Sequence, residues 1–202
     1  MIRLIPLVLV VASCVAAPER DAFLIDEPTR MGVVFVGTDQ RRGTGFVVGD
    51  SGTHYIVLTA AHVTNGSASV EVDGEQATVV QEDRLLDVAV LTLPKTRHRR
   101  VLRMREARLG ESCRIVAYSS DWRDRPQLMV WRGNVVHPNR DTRMVFNGGA
   151  VPGNSGGPVV AEDGSVIGMA VAFYDIFRTG TPTTHYMTCV TVPTLQSILR
   201  KE

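Results

Sequence analysis

The sequence predicts an all-β protein: two packed six-stranded Greek-key β-barrels with a short C-terminal helix. Three observations carry this. Short runs rich in Val, Ile, Thr and aromatic residues recur between Gly, Asp, Ser and Asn turns, as in chains of closely spaced strands. A basic stretch that breaks the strand pattern, residues 95–110, separates these runs into two sets of about six. Sustained helical periodicity is confined to the last residues. The chain has 202 residues, enough for one large domain or two small ones.

The N-terminus reads as a secretory signal over residues 1–13. Arg3 supplies a positive n-region, and the apolar core from Leu4 to Ala12 is too short to span a bilayer, which needs roughly 20 residues. Two cleavage readings follow. Val11-Ala12-Ser13-Cys14 resembles a bacterial lipobox, which would acylate Cys14 and anchor the exported protein to a membrane. Val15-Ala16-Ala17 resembles an ordinary signal-peptidase site, disfavoured by Pro18 directly after it, and would release a soluble secreted protein. The lipoprotein reading is preferred. Residues 14–30, polar and containing Pro18 and Pro28, read as a tether or irregular lead-in.

The first barrel is expected over residues 31–94. Its runs are Met31–Val36, Gly45–Val48, Tyr55–Leu58, Ala68–Val72, Ala77–Gln81 and Val88–Leu93, with about one turn of helix near Ala60–Thr64. The linker begins with Lys95-Thr96-Arg97-His98-Arg99-Arg100-Val101-Leu102-Arg103-Met104-Arg105. It holds six basic residues in eleven, but no aromatic residue to stack on a base. In a chain of net charge +1 it is read as a solvated connection, and no nucleic-acid partner is expected.

The second barrel is expected over residues 111–202. Its runs are Cys113–Tyr118, Gln127–Val136, Met144–Asn147, Gly157–Val160, Val166–Phe173 and His185–Val192. Thr194–Lys201 closes the chain as an amphipathic helix, with Leu195, Ile198 and Leu199 on one face and Thr194 as N-cap. Cys113 and Cys189 lie on strand-like runs; export permits a disulfide, and the sequence leaves open a bond or two buried thiols.

Gly153-Asn154-Ser155-Gly156-Gly157-Pro158 is the stretch with chemical promise. A serine between glycines sits on a sharp turn that a substrate backbone can approach and from which main-chain N–H groups can point outward. A serine hydroxyl is a weak nucleophile at neutral pH and needs a base with a suitable pKa, which is the property of histidine. His54, His62, His98, His137 and His185 are available, and Asp83 and Asp87 compete as the carboxylate that orients the base.

Four segments together resemble the chymotrypsin/trypsin-fold serine endopeptidases, and most of all their bacterial Deg/HtrA-type branch. They are Gly43-Thr44-Gly45-Phe46-Val47-Val48, Leu58-Thr59-Ala60-Ala61-His62-Val63, Asp87-Val88-Ala89-Val90-Leu91 and Gly153-Asn154-Ser155-Gly156-Gly157-Pro158-Val159. The resemblance runs from about residue 33 to residue 193, in the chymotrypsin order His, Asp, Ser. It implies His62 as general base, Asp87 as its orienter, Ser155 as nucleophile, and an oxyanion hole of the Gly153 and Ser155 N–H groups. The substrates implied are proteins or peptides, with no metal and no cofactor.

In that fold the primary pocket is walled by the segment before the nucleophile turn and by the strand after it, here Gly149, Ala170 and Phe173. Gly149 stands where trypsin-like enzymes carry an acid to recognise Lys or Arg, so a preference for small or medium apolar side chains is expected. Two departures qualify the likeness. The residues after 193 leave no room for a PDZ domain, and no Ile-Val-Gly-Gly-like start marks a zymogen, so activity is expected to depend on an ordered oxyanion loop. Two other function classes share the pattern: a catalytically silent module acting as an anchored binding protein, and an esterase using the same triad.

Overall fold

The computed structural model describes residues 25–119, 126–140, 142–149, 151–178 and 181–200, with the side chains of 139–140, 172–178 and 181–185 excepted. Cys14 and the signal lie outside the described residues. The described residues open with helix α1, Glu27–Gly32, where an irregular lead-in was expected. Asp26 starts it by accepting the Thr29 N–H on its side chain at 2.8 Å, and Pro28 in the first turn is preset for helical φ.

Six strands follow: β1 Val33–Gly37, β2 Arg42–Asp50, β3 His54–Thr59, β4 Ser69–Val72, β5 Glu75–Asp83 and β6 Val88–Pro94, with helix α2, Ala61–Thr64, between β3 and β4. They close into a barrel in the order β1-β2-β3-β6-β5-β4, with β4 pairing back onto β1 through Val36 and Val72. Six more strands form the second set: β7 Ser112–Ser119, β8 Gln127–Arg140, β9 Arg143–Asn147, β10 Pro158–Ala161, β11 Val166–Arg178 and β12 Thr181–Thr191. They close in the order β10-β11-β12-β9-β8-β7, which is the first barrel's ring order shifted by six strands. Both expected sets of strands are thus present, and both barrels share one Greek-key plan.

The helix that ends the fold is α3, Val192–Leu199. It begins two residues before the expected Thr194. Thr191 is its N-cap and Pro193 lies in its first turn; Thr194 is already helical and its hydroxyl meets that of Thr191 at 2.9 Å. Leu195 and Ile198 are fully buried. They belong to an apolar cluster that fills the first barrel and continues across the seam through Val116, Val160, Met169, Val171 and Val190. A second cluster, including Ile115, Phe146, Met144 and Ile167, fills the second barrel. Across the seam Phe35 and Tyr118 meet edge to face with ring centroids 5.7 Å apart.

The basic stretch is not simply solvated, as the sequence reading had it. Arg99 is buried, pairs with Asp73 and Glu75, and its N–H donates to the Tyr55 hydroxyl at 3.1 Å. Lys95 pairs with Asp50, Arg97 with Glu75, and Arg105 with Glu111 and Asp163. Leu102 is buried as well, its N–H bonded to Val47 O at 2.9 Å. Lys95, Arg97, Arg99 and Arg105 therefore fasten this stretch to both barrels, while Arg100 and Arg103 stay exposed. Cys113 and Cys189 are free, buried thiols. Burial pushes the Cys113 thiol up to about 12 and raises Cys189 as well.

Candidate active site

His62 is the second residue of α2, which starts where β3 ends and is only one turn long. The helix stops at Asn65, which takes the left-handed conformation at φ 52°. Glu82 of β5 ties this end down by accepting the Thr64 hydroxyl at 2.8 Å and the Gly66 N–H at 3.1 Å. On the other side Arg41 donates to His62 O at 3.1 Å. The imidazole is thereby fixed at the rim of the first barrel.

Asp87 lies on the turn between β5 and β6, immediately before the buried run Val88–Leu91. Its φ is 55°, a region that Asp tolerates better than most side chains. Asp83, the rival carboxylate, shapes that turn instead: its Oδ1 accepts the Leu86 N–H at 2.9 Å. Asp87 reaches His62 twice. Oδ2 lies 2.7 Å from His62 Nδ1, and Oδ1 accepts the His62 backbone N–H at 2.9 Å. With Nδ1–H donating to the carboxylate, Nε2 of the neutral ring is left as the acceptor. Burial raises the Asp87 pKa, but the two bonds from His62 and the nearby positive charge of Arg143 outweigh it and hold the carboxyl below its ordinary value. It therefore remains an anion at neutral pH.

Ser155 comes from the second barrel, on the turn that leads into β10. Gly153 and Gly156 on either side have φ of 100° and 84°, values that favour glycine. A Cβ on Gly156 would lie 2.1 Å from Thr44 O and 2.8 Å from Ala60 N, so the turn is pressed against β2 and the start of the histidine helix. A Cβ on Gly43 would meet both Val63 Cγ2, at 2.5 Å, and Ser155 O, at 2.8 Å. These close approaches bring the serine turn beside His62 across the barrel seam. Among the described residues, neither the Gly153 N–H nor the Ser155 N–H has a protein acceptor.

Thr44 holds this turn in place. Its N–H donates to Ser155 O at 2.9 Å, its hydroxyl donates to Gly153 O at 2.8 Å, and the same hydroxyl accepts the Tyr118 N–H at 2.9 Å. Thr59 completes the cluster by donating its hydroxyl to Thr44 O at 2.7 Å. Asn154 is buried, and its side-chain oxygen accepts the Val151 N–H at 3.0 Å. Sequence reading quoted Thr44 only as part of a motif; its two flanking glycines were the signal that a close approach occurs there.

The expected pocket residues have different surroundings. Gly149 is exposed, and a Cβ there would lie 2.8 Å from Trp131 Cδ1. Trp131, on the neighbouring strand β8, had no sequence signal. Ala170 is fully buried; its O accepts the Gly156 N–H at 2.7 Å and its N–H donates to Gly157 O at 2.8 Å. It is a floor under the serine turn, without exposed surface to offer a substrate. Phe173 pairs through its backbone with Met187, and its side chain lies outside the described residues.

Comparison with known proteins bears on this geometry. Residues 43–169, more than half of the chain, match the model of the trypsin-like peptidase domain. The protein y4bJ of Sinorhizobium fredii (strain NBRC 101917 / NGR234), described only as uncharacterized, is 29% identical over 153 residues, 69% of this chain. The chain spans 23% of the length of that curated relative. Among solved structures, the inactive form of the Rv3671c protease of M. tuberculosis H37Rv superposes with a TM-score of 0.68 at 23% identity, covering 86% of this chain and 89% of that one. The serine endoprotease from Yersinia pestis gives a TM-score of 0.70 at 19% identity, covering 86% and 64%. At these identities the two structures establish likeness of fold. The family match is more specific: it runs from β2 of the first barrel into β11 of the second and takes in His62, Asp87, Gly153 and Ser155, so the chain belongs to the trypsin-like peptidase domain family.

Proposed function

We propose that the protein is an exported serine endopeptidase that cleaves peptide bonds with His62, Asp87 and Ser155. The observation that carries this reading is the doubly bonded pair His62–Asp87, at 2.7 and 2.9 Å, beside a glycine-bounded serine turn from the other barrel. His62 Nε2 takes the proton from Ser155 Oγ as the oxygen bonds to the scissile carbonyl carbon. The carbonyl electron pair moves onto oxygen, where the Gly153 and Ser155 N–H groups receive the developing charge. The C–N bond then breaks, His62 passes its proton to the leaving amine, and a water activated by the same imidazole hydrolyses the acyl-enzyme. Asp87 stays ionised throughout and stabilises the imidazolium, in keeping with its lowered pKa.

Gly149 beside Trp131 supports a primary pocket without an acidic base, hence small or medium apolar side chains before the cleaved bond. Acylation of Cys14 would hold the enzyme on the outer side of a membrane, and membrane partitioning that is unchanged in Cys14→Ser would refute that part. The decisive test of activity is fluorophosphonate labelling. Labelling that is lost in Ser155→Ala, with hydrolysis of casein, supports the endopeptidase. Hydrolysis of esters alone would make it an esterase, and failure to label would make it a binding module. Rapid cleavage after Lys or Arg in a peptide library would overturn the pocket assignment.

A further inference from the structure

We propose that Arg143 is a positioning residue for Asp87, reaching from the second barrel to hold the turn of the first barrel on which the orienting carboxylate sits. The catalytic meaning of this rests on the endopeptidase reading above; the structural claim does not. Arg143 heads β9, and its backbone is built into the second barrel by pairing with Val190 of β12 and with Arg140 of β8. Its side chain leaves that barrel. Nη2 donates to Leu85 O at 3.5 Å, two residues before Asp87, and its charge acts on the Asp87 carboxylate.

Three features make this contact more than an incidental one. Leu85 in the Asp87 turn is 93% exposed and Asp87 takes a left-handed φ of 55°, so Arg143 adds a hold from the second barrel to the bonds that Asp83 and His62 make within the first. Arg143 Nη1 is buried and has no hydrogen-bond acceptor among the described residues, an arrangement that costs free energy unless a nearby negative charge compensates it. A guanidinium cannot relieve that cost by losing its proton, so it remains a fixed positive charge near Asp87. The charged groups around Asp87 are His62 on α2, Arg143 on β9, and Glu82, Asp83 and Arg84 on its own strand and turn. Of the last three, Arg84 pairs with Glu82 at 2.6 Å and Asp83 caps Leu86. Among the described residues Arg143 is therefore the cation of the opposite barrel whose charge lowers the Asp87 carboxyl, and through Leu85 O it couples the turn that carries the acid to the barrel that carries the serine.

The test uses the full chain. The carboxyl 13C shift of Asp87 is followed from neutral pH downward in wild type, Arg143→Gln and Arg143→Lys, alongside kcat, KM and fluorophosphonate labelling. Arg143→Gln is expected to move the Asp87 titration to higher pH and to lower kcat by up to about tenfold, with KM little changed. Arg143→Lys keeps the charge and is expected to restore the titration and part of kcat. Where Arg143→Gln does not fold, Arg143→Met, which keeps the aliphatic stem, is measured in its place. A wild type that labels, with Asp87 titration and kcat unchanged in the neutral variant, would overturn the proposal and leave the endopeptidase reading standing. A shifted titration in a protein whose wild type does not label would uphold the positioning role and remove the endopeptidase reading.

Discussion

Thr44→Val isolates the contact by which the first barrel holds the serine turn of the second. Valine keeps the branched shape at a fully buried position and deletes only the hydroxyl. That hydroxyl serves two groups, the Gly153 carbonyl at 2.8 Å and the Tyr118 N–H at 2.9 Å, and both would be left buried without these partners. At roughly 1–3 kcal/mol for each unsatisfied group, the loss of stability comes to roughly 2–6 kcal/mol. For a chain of this size it corresponds to a fall in Tm of roughly 4–24 °C by calorimetry. On the proposed mechanism the catalytic effect has a separate origin: releasing Gly153 O frees the peptide after Gly153 to rotate and mis-aims the neighbouring N–H proposed to receive the oxyanion, a change that in other enzymes lowers kcat on the order of 100-fold. Thr44→Ser keeps both bonds and loses one methyl, so about 1 kcal/mol and a near-normal kcat are expected. If Thr44→Val matched wild type in Tm and kcat, the hydroxyl would not hold the turn.

Gly156→Ala places a Cβ 2.1 Å from Thr44 O at φ 84°, against backbone that cannot yield, and is expected to lose both folding stability and fluorophosphonate labelling; soluble, labelled protein at wild-type levels would contradict the tight packing. Acid should destabilise the fold in a defined window. Hydrogen bonds from Arg105 hold Glu111 low and Asp163 at about 2, and those from His62 outweigh burial to hold Asp87 low, so the unfolded chain takes up protons first as pH falls. The stabilisation from these carboxylates is present above about pH 4 and lost between about 4 and about 2, read as a falling urea midpoint that is less steep in Arg105→Gln. A midpoint that stays flat through that window would refute it. Cys113 and Cys189 should resist a thiol reagent in the native protein and react together on unfolding, because burial disfavours both thiolates; fast native labelling of either would show the site to be open.

The two sets of strands were legible because strand periodicity and turn residues are local properties, and the basic interruption at 95–105 marked where one set ends. The same locality misled at the ends of elements. Asp26 and Pro28 start a helix inside what read as an irregular lead-in, and the terminal helix begins at Val192 because Thr191, not Thr194, is its N-cap and Pro193 lies in its first turn. The basic run read as solvated because its partners, Asp73, Glu75, Glu111 and Asp163, are distant or unmarked in sequence. Charge is visible in a sequence; pairing is not.

The serine turn, the histidine and the aspartate of the candidate site were each written in short segments with their own local signal: glycines around Ser155, Thr-Ala-Ala before His62, and an apolar run after Asp87. Sequence by itself therefore determined the residue types, their chain order and the double-barrel class. Only the tertiary structure decided that Asp87, and not Asp83, meets the imidazole, that Thr44 clasps the serine turn, that Ala170 is a buried floor, and that Arg143 reaches the acid from the other barrel. The physical reason is that these are contacts across the seam or between neighbouring turns. Their geometry depends on where two separately closed barrels come to rest against each other, and no local pattern encodes a distance between residues 58 or 109 positions apart.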